Sequence, residues 1–232
     1  MNNQSLSMNL HVRLYLALHF AAAVCFAQGM MPSDVAAQNR TQQEANAIQQ
    51  KLAAKYQSME AMSAEFVQVT TSAFLESSER FSGTLILSGN KYRVQTGSQT
   101  IVTDGITLWI HNRAEKQVII NSYESDASSF SLTTFLGQMG KDYRFILQGT
   151  TTKNGVVYDT VSLLPSDGTS QFRSVKMEVR KTDTVVTHLE VVDLNDVQMT
   201  FDLSSIKVNP VIPADIFVLK VPTDAEIIDL RN

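Results

Sequence analysis

Cysteine is nearly missing from this chain: Cys25 is the only one in 232 residues. It sits in an N-terminal apolar stretch, and beyond that stretch no thiol is available for a disulfide, a metal site or nucleophilic catalysis. Histidine is almost as scarce. After residue 30 only His111 and His188 remain, and neither stands at a metal-ligand spacing. There is no Gly-rich phosphate loop, no dinucleotide fingerprint and no Gly-x-Ser-x-Gly elbow. The carboxylates Glu60, Glu65, Glu76, Glu79, Asp193, Asp196 and Asp202 are scattered over turns and strand ends, and nothing selects a catalytic pair among them. No run of Lys or Arg occurs, and 19 basic against 23 acidic residues give a formal charge of −4. That balance lacks the electrostatic footprint of a nucleic-acid binder. No apolar run reaches the ~20 residues needed to span a bilayer. These absences argue against an enzyme, a cofactor or metal protein, and a nucleic-acid partner.

The N-terminal apolar stretch has the form of an export signal. His11 and Arg13 precede Leu14–Ala27, which is short, apolar and ends in small residues. Cleavage is expected after Ala27, with Ala37 as the alternative. A lipoprotein signal would place a small residue directly before the modified cysteine, and Val24 stands there instead, so Cys25 is read as part of the discarded segment. The expected organisation is a signal at 1–27, a flexible lead-in at 28–40 and a single exported domain at 41–232.

Thr41-Gln42-Gln43-Glu44 fits a capping box. From Ala45 to Met62, Ala45, Ile48, Leu52, Tyr56 and Met59 recur at three- and four-residue steps, which predicts an amphipathic helix with one apolar face. Its polar face lacks the basic enrichment of membrane-surface helices, so packing on a sheet is the expectation. Beyond Ser63 the period changes to two. Candidate strands are 64–71, 81–88, 91–96, 99–103, 106–112, 116–123, 142–149, 156–164, 172–181, 185–193, 197–208 and 226–230, with turn chemistry at Asp104-Gly105, Asn154-Gly155 and Asp167-Gly168. Pro165, Pro210, Pro213 and Pro222 fall between runs or at their ends. Two segments break the rhythm: Ala127–Gly140 reads as one or two short helices, and 213–217 as a helical turn begun by Pro213.

An antiparallel sheet of about eleven strands does not stay open and flat. The predicted fold is therefore mainly β with covering helices (α+β): an unclosed antiparallel β-barrel with an N-terminal helix and a short helical lid over an apolar cavity. A two-sheet sandwich is the competing fold. The Asp104-Gly105 turn, followed by the only Trp at position 109, marks the middle of the expected meander.

Several motifs share an order with one family. They are Phe66-Val67-Gln68, then Gly83-Thr84-Leu85-Ile86-Leu87, then Tyr92-Arg93-Val94. Asp104-Gly105-Ile106-Thr107-Leu108-Trp109-Ile110-His111-Asn112 with Gln117 follows, and Phe217, Pro222 and Ile228-Asp229 close the series. In this the chain resembles the periplasmic outer-membrane lipoprotein carrier family, LolA, from about Glu44 to Asp229. The resemblance implies a lidded, unclosed barrel that shields lipoprotein acyl chains in transit between two membranes. It implies acylated lipoproteins as cargo, an inner-membrane extraction transporter and an outer-membrane acceptor as partners, a monomer, a periplasmic location and no cofactor. A family Arg-Pro step that latches the lid would fall at Ser88-Gly89-Asn90, where it is absent, and His111 and Arg113 stand in place of the usual Tyr and Pro.

On this reading the candidate acyl-chain residues are Phe66, Leu85, Leu87, Tyr92, Val94, Trp109, Met177 and Val179 from strands. Ile48, Leu52, Phe130, Phe135, Leu136 and Met139 would come from the covering helices. Strand alternation leaves two options at the hairpin: either Thr107, Trp109 and His111 point inward, or Ile106, Leu108 and Ile110 do. A lipid-sensing or regulatory envelope module on the same scaffold, without shuttling, is the alternative function.

Overall fold

The computed structural model describes residues 32–72, 78–123, 143–166, 170 and 172–231. Two compact units are distinguished, Met1–Arg40 and Thr41–Asn232. The export signal, the Asp167-Gly168 turn and the expected short helices of 127–140, with Phe130, Phe135, Leu136 and Met139, lie outside the described residues.

Helix α1 covers Pro32–Gln57. It starts earlier and stops earlier than the predicted 45–62, so Thr41 lies inside the helix and is not its cap, and Pro32–Arg40 is helical where a flexible lead-in was expected. Proline is well suited to a first helical turn, where its missing N–H has no partner to lose, and no Gly or Pro interrupts 33–57. At the other end the Ser58 amide donates to Ala54 O at 3.1 Å and its hydroxyl to Lys55 O at 3.0 Å. The chain then leaves the helix, and Ala61 and Met62 open the first strand. Asn209 fixes this junction by accepting hydrogen bonds from the Glu60 and Ala61 amides at 2.9 and 3.1 Å.

The strands are β1 (Ala61–Ser72), β2 (Glu79–Ser88), β3 (Lys91–Thr96), β4 (Gln99–Thr103), β5 (Thr107–Asn112) and β6 (Gln117–Ser122). After the undescribed segment come β7 (Tyr143–Lys153), β8 (Val156–Pro165), β9 (Phe172–Arg180), β10 (Val185–Asp193), β11 (Val197–Val208) and β12 (Glu226–Asp229). They form one 12-stranded sheet in the order β12-β6-β5-β4-β3-β2-β1-β11-β10-β9-β8-β7. The twelve strands correspond to the twelve candidate runs, in line with the expected sheet of about eleven, and among the described residues they form a single sheet rather than a sandwich. Its two edge strands, β12 and β7, do not pair with each other, so the barrel is unclosed. Every neighbouring pair is antiparallel except β12 with β6, which is parallel. The β4–β5 hairpin lies midway along the β2–β6 meander, whereas the centre of the sheet is the β2–β1–β11 region. A 3-10 turn, η1 (Ala214–Phe217), follows Pro213 as its sequence suggested.

Among the described residues two cores form. Ala45, Leu52 and Tyr56 of α1 are buried against Phe145, Val161, Val175, Met177, Val179 and Leu189 of β7–β10, with Ile48 and Met59 packed alongside. The three- and four-residue spacing thus delivers its apolar face to the sheet. Burying side chains of this size stabilises the fold by roughly 1.5–3 kcal/mol each. The second core joins Val102, Val118 and Ile120 of β4 and β6 to Leu219, with Trp109, Val221 and Ala225 packed against it.

Candidate functional site

Register decides which side chains share a wall. Across β1–β6 the partners Ala64, Leu85, Val94, Ile101, Ile110 and Ile119 form one continuous cross-strand row. The next row on the same face runs Met62, Leu87, Tyr92, Thr103 and Leu108. Through Phe66–Leu203, Gln68–Phe201, Leu189–Phe201, Leu189–Met177 and Val179–Val186 this face continues unbroken into β7–β10. Phe66, Leu85, Leu87, Tyr92, Val94, Met177 and Val179 therefore all project from one face of the sheet, because side chains alternate strictly along each strand.

The face is used differently in its two halves. Under α1 it is sealed: Met177 is 0% and Val179 3% exposed, and Leu52 is 1% exposed above them. Met177, Val179 and Leu52 are members of the first core, and Ile48, partly buried, packs against it. Over β1–β6 the same face is only half-buried at Phe66, Leu85, Tyr92, Val94, Ile101, Leu108, Ile110 and Ile119, while Leu87, with Met62, Ala64 and Thr103, is buried. This half is the candidate acyl-chain surface. Leu108 and Ile110 belong to the second of the two hairpin options, and Ile101 and Ile119, which pair with Ile110, join them although the sequence had not singled them out.

Trp109 does not belong with the others. It pairs with Val102 and Ile120 and lies on the opposite face, packed into the second core with Leu219 and Val221. Of the two options for the hairpin, the one with Leu108 and Ile110 on the Leu85 face is realised. Trp109 shares its face with Thr107 and His111, on the side packed by the segment that follows η1.

Turn chemistry fixes this register. Gly105 adopts φ +90°, a region that only glycine enters without strain. Asp104 Oδ1 accepts hydrogen bonds from the Ile106 and Thr107 amides at 2.9 and 2.8 Å, and Thr103 Oγ1 accepts one from Gly105 at 3.0 Å. Partial burial pushes the Asp104 carboxyl up, but those amides and the nearby Lys91 outweigh it and hold the pKa below the usual carboxylate value. Asn90, in the β2–β3 turn, lies directly against Gly105: a Cβ there would meet its Nδ2 at 2.4 Å. So the Ser88-Gly89-Asn90 segment, where the family's Arg-Pro step is absent, buttresses the neighbouring hairpin.

A cleft of about 140 Å³ opens at the same end of the sheet, lined by Tyr56, Met59, Met62, Leu87, Ser88 and Gly89. It adjoins the apolar face of β1–β6 at the buried Met62 and Leu87 and places the end of α1 against the β2–β3 turn. Tyr56 anchors that end. Its hydroxyl accepts a hydrogen bond from the Val186 amide at 3.1 Å, next to the β9–β10 register shift that frees it. Burial raises the phenol pKa to about 12. Among the described residues there is no cluster of His, Cys, Asp or Glu able to hold a metal ion, and no helix long and apolar enough to cross a membrane.

The outer membrane lipoprotein carrier protein LolA family model matches residues 57–220, which takes in the Phe66, Gly83 and Asp104-Gly105 motifs and both cross-strand rows. The chain belongs to this family. No curated protein matches it. Among solved structures, an uncharacterized conserved protein from Thermus thermophilus is similar in fold, with 15% identity, a TM-score of 0.52 and coverage of 80% of this chain and 99% of that one. A LolA superfamily protein from Nitrosomonas europaea matches at 14% identity, TM-score 0.38, over 75% of this chain and 97% of its own. The Pseudomonas aeruginosa MucA/MucB complex matches at 11% identity, TM-score 0.38, over 80% of this chain and 63% of that one. As a LolA-family member the chain has a lipoprotein-binding scaffold of an envelope family, not the scaffold of an enzyme family.

Proposed function

We propose that the protein is a periplasmic carrier that shields lipoprotein acyl chains on the half-buried face of β1–β6 and shuttles them from the inner to the outer membrane. The observation that carries this reading is the cross-strand row Leu85, Val94, Ile101, Ile110 and Ile119, apolar over five strands yet left incompletely covered beside a fully packed neighbour. A stably folded domain rarely leaves so continuous an apolar surface without an occupant.

Energetics favour such a surface. An acyl chain of roughly fifteen methylenes, at ~0.8 kcal/mol each, resists transfer to water by about 12 kcal/mol. A carrier has to offset most of that penalty and still release its cargo. Side chains that keep part of their area exposed achieve this better than a close-packed core, and Tyr and Phe adapt to irregular apolar shapes. Met177, Val179, Ile48 and Leu52 then serve as the rigid floor beside the site. The cargo would be acylated lipoproteins, received from an inner-membrane extraction transporter and passed to an outer-membrane acceptor by a monomer exported through a cleaved signal.

Purification of the mature protein from the envelope, followed by mass spectrometry of bound lipid, tests the reading. Recovery of acylated protein, and its transfer between two membrane preparations, is the expected result. Repeated empty preparations with no transfer would refute it.

A further inference from the structure

The opposite face of the same half carries a second cleft, of about 330 Å³, between β3–β5 and the segment 215–222. Arg93, Arg113, His111 and Lys220 line it, and Asp215 is its one carboxylate. In a chain of formal charge −4 this is a local excess of positive charge, two with His111 neutral.

The arginines are held without being neutralised. Arg93 Nη1 donates to Ile216 O at 3.1 Å. Arg113 donates through Nη1 to Thr96 O and Gly97 O at 2.8 and 3.0 Å, and through Nη2 to Thr100 Oγ1 at 2.5 Å. These acceptors are neutral carbonyls and a hydroxyl, and among the described residues neither arginine has a carboxylate partner. Asp215 is engaged by Lys220 at 3.2 Å, with both side chains exposed. Two guanidinium groups pre-set by backbone contacts, with charge left over, suit an oxyanion that accepts several charge-assisted hydrogen bonds. The volume exceeds that of a bare anion and lies at the lower end for small-ligand pockets.

We propose that this cleft binds a phosphate group carried on a small organic body, on the face opposite the acyl-chain surface and independently of it. The phosphate is free, as a soluble monoester, or is displayed by a lipid headgroup.

Glycerol 3-phosphate, with glycerol as the neutral control, is titrated into the full chain and followed by calorimetry and by the fluorescence of Trp109, which packs against Leu219 on the cleft's outer wall. Flotation with phosphatidylglycerol vesicles, against phosphatidylcholine vesicles, forms the second arm. Saturable binding of the ester identifies a soluble ligand. Binding to phosphatidylglycerol vesicles alone identifies a headgroup. Lys220→Gln should weaken either by about fivefold and Asp215→Asn should tighten it by about threefold, and both positions are exposed enough to leave the fold intact. No binding in either arm, or binding that neither substitution alters, would overturn the proposal.

Discussion

The ring of Phe66 lies over Gly83. The two residues pair directly across β1 and β2, and a Cβ on Gly83 would sit 3.2 Å from Phe66 Cε1 and 2.1 Å from the carbonyl oxygen of Gln95. The Phe-x-Gln and Gly-x-Leu motifs are thus two halves of one contact. Glycine lets β2 approach β3 closely, and the aromatic ring covers the bare backbone that glycine leaves.

Gly83→Ala should therefore destabilise the domain by about 3 kcal/mol in urea unfolding, since the clashing atom is backbone and cannot swing away. Phe66→Ala should cost about 2 kcal/mol, less than a fully buried phenylalanine, because its side chain is only half-buried. Combining the two should not rescue Gly83→Ala, because its worst contact is with Gln95.

Gly105 and Asn90 make a second such pair with a different outcome on combination. Gly105→Ala meets both a strained φ and the Asn90 amide, and should cost about 2 kcal/mol or more. Asn90→Ala removes the steric part and leaves the backbone strain. The double variant should then be more stable than the sum of the two singles predicts, measured as a double-mutant cycle of unfolding free energies.

Asp104 contributes through its ionised form, which receives the Ile106 and Thr107 amides. Its folded pKa is depressed, so the contribution is fully present above the unfolded carboxyl pKa and is lost as pH falls through the folded one. Asp104→Ala should cost about 1 kcal/mol at neutral pH and flatten the acid limb of the stability profile. Chemical denaturation between neutral and strongly acid pH would reveal it, and an unchanged acid limb would show the Asx turn to be dispensable.

All the described strands were legible in the period-two pattern, and α1 in the spacing of Ala45, Ile48, Leu52 and Tyr56. Those signals are local and repeat within each element. The start of α1 was misplaced because Thr41 and Glu44 mimic a cap inside a helix that Pro32 had already begun. The wall to which Trp109 belongs was not legible. A strand shows two faces, and only pairing with Val102 and Ile120, together with the cover supplied by Leu219 more than a hundred residues later, decides between them. Likewise, nothing local separated Met177 and Val179, sealed by α1, from Leu85 and Val94, which are not.

Tyr56 offers a test of how α1 is fastened. Tyr56→Phe leaves the Val186 amide without its acceptor in a buried setting and should cost about 2 kcal/mol. A phenol pKa of about 12 against an ordinary value of 10 means that the folded state holds its proton longer than the unfolded chain does. Stability should be level below pH 10, fall as the unfolded phenol ionises, and lose about 3 kcal/mol by the time pH passes the folded pKa. Tyr56→Phe should lack this alkaline decline, and absorbance titration of the phenolate reads the pKa directly.

The single Trp provides a ruler for the two faces. If acyl chains occupy the Leu85–Ile119 row, Trp109 stays separated from them by the sheet. Chains brominated near the methyl end should then bind without quenching its fluorescence. Moving the reporter with Trp109→Phe and Ile110→Trp puts the indole one position along β5 and onto the acyl-chain face, and the same brominated chains should now quench it strongly. Leu85→Asp should abolish the quenching in that variant by placing a charge in the row, at a desolvation cost that no acyl contact offsets. Strong quenching of the native Trp109 would instead put the chains on the side of Val102 and Leu219, and the carrier surface would have to be reassigned to that face.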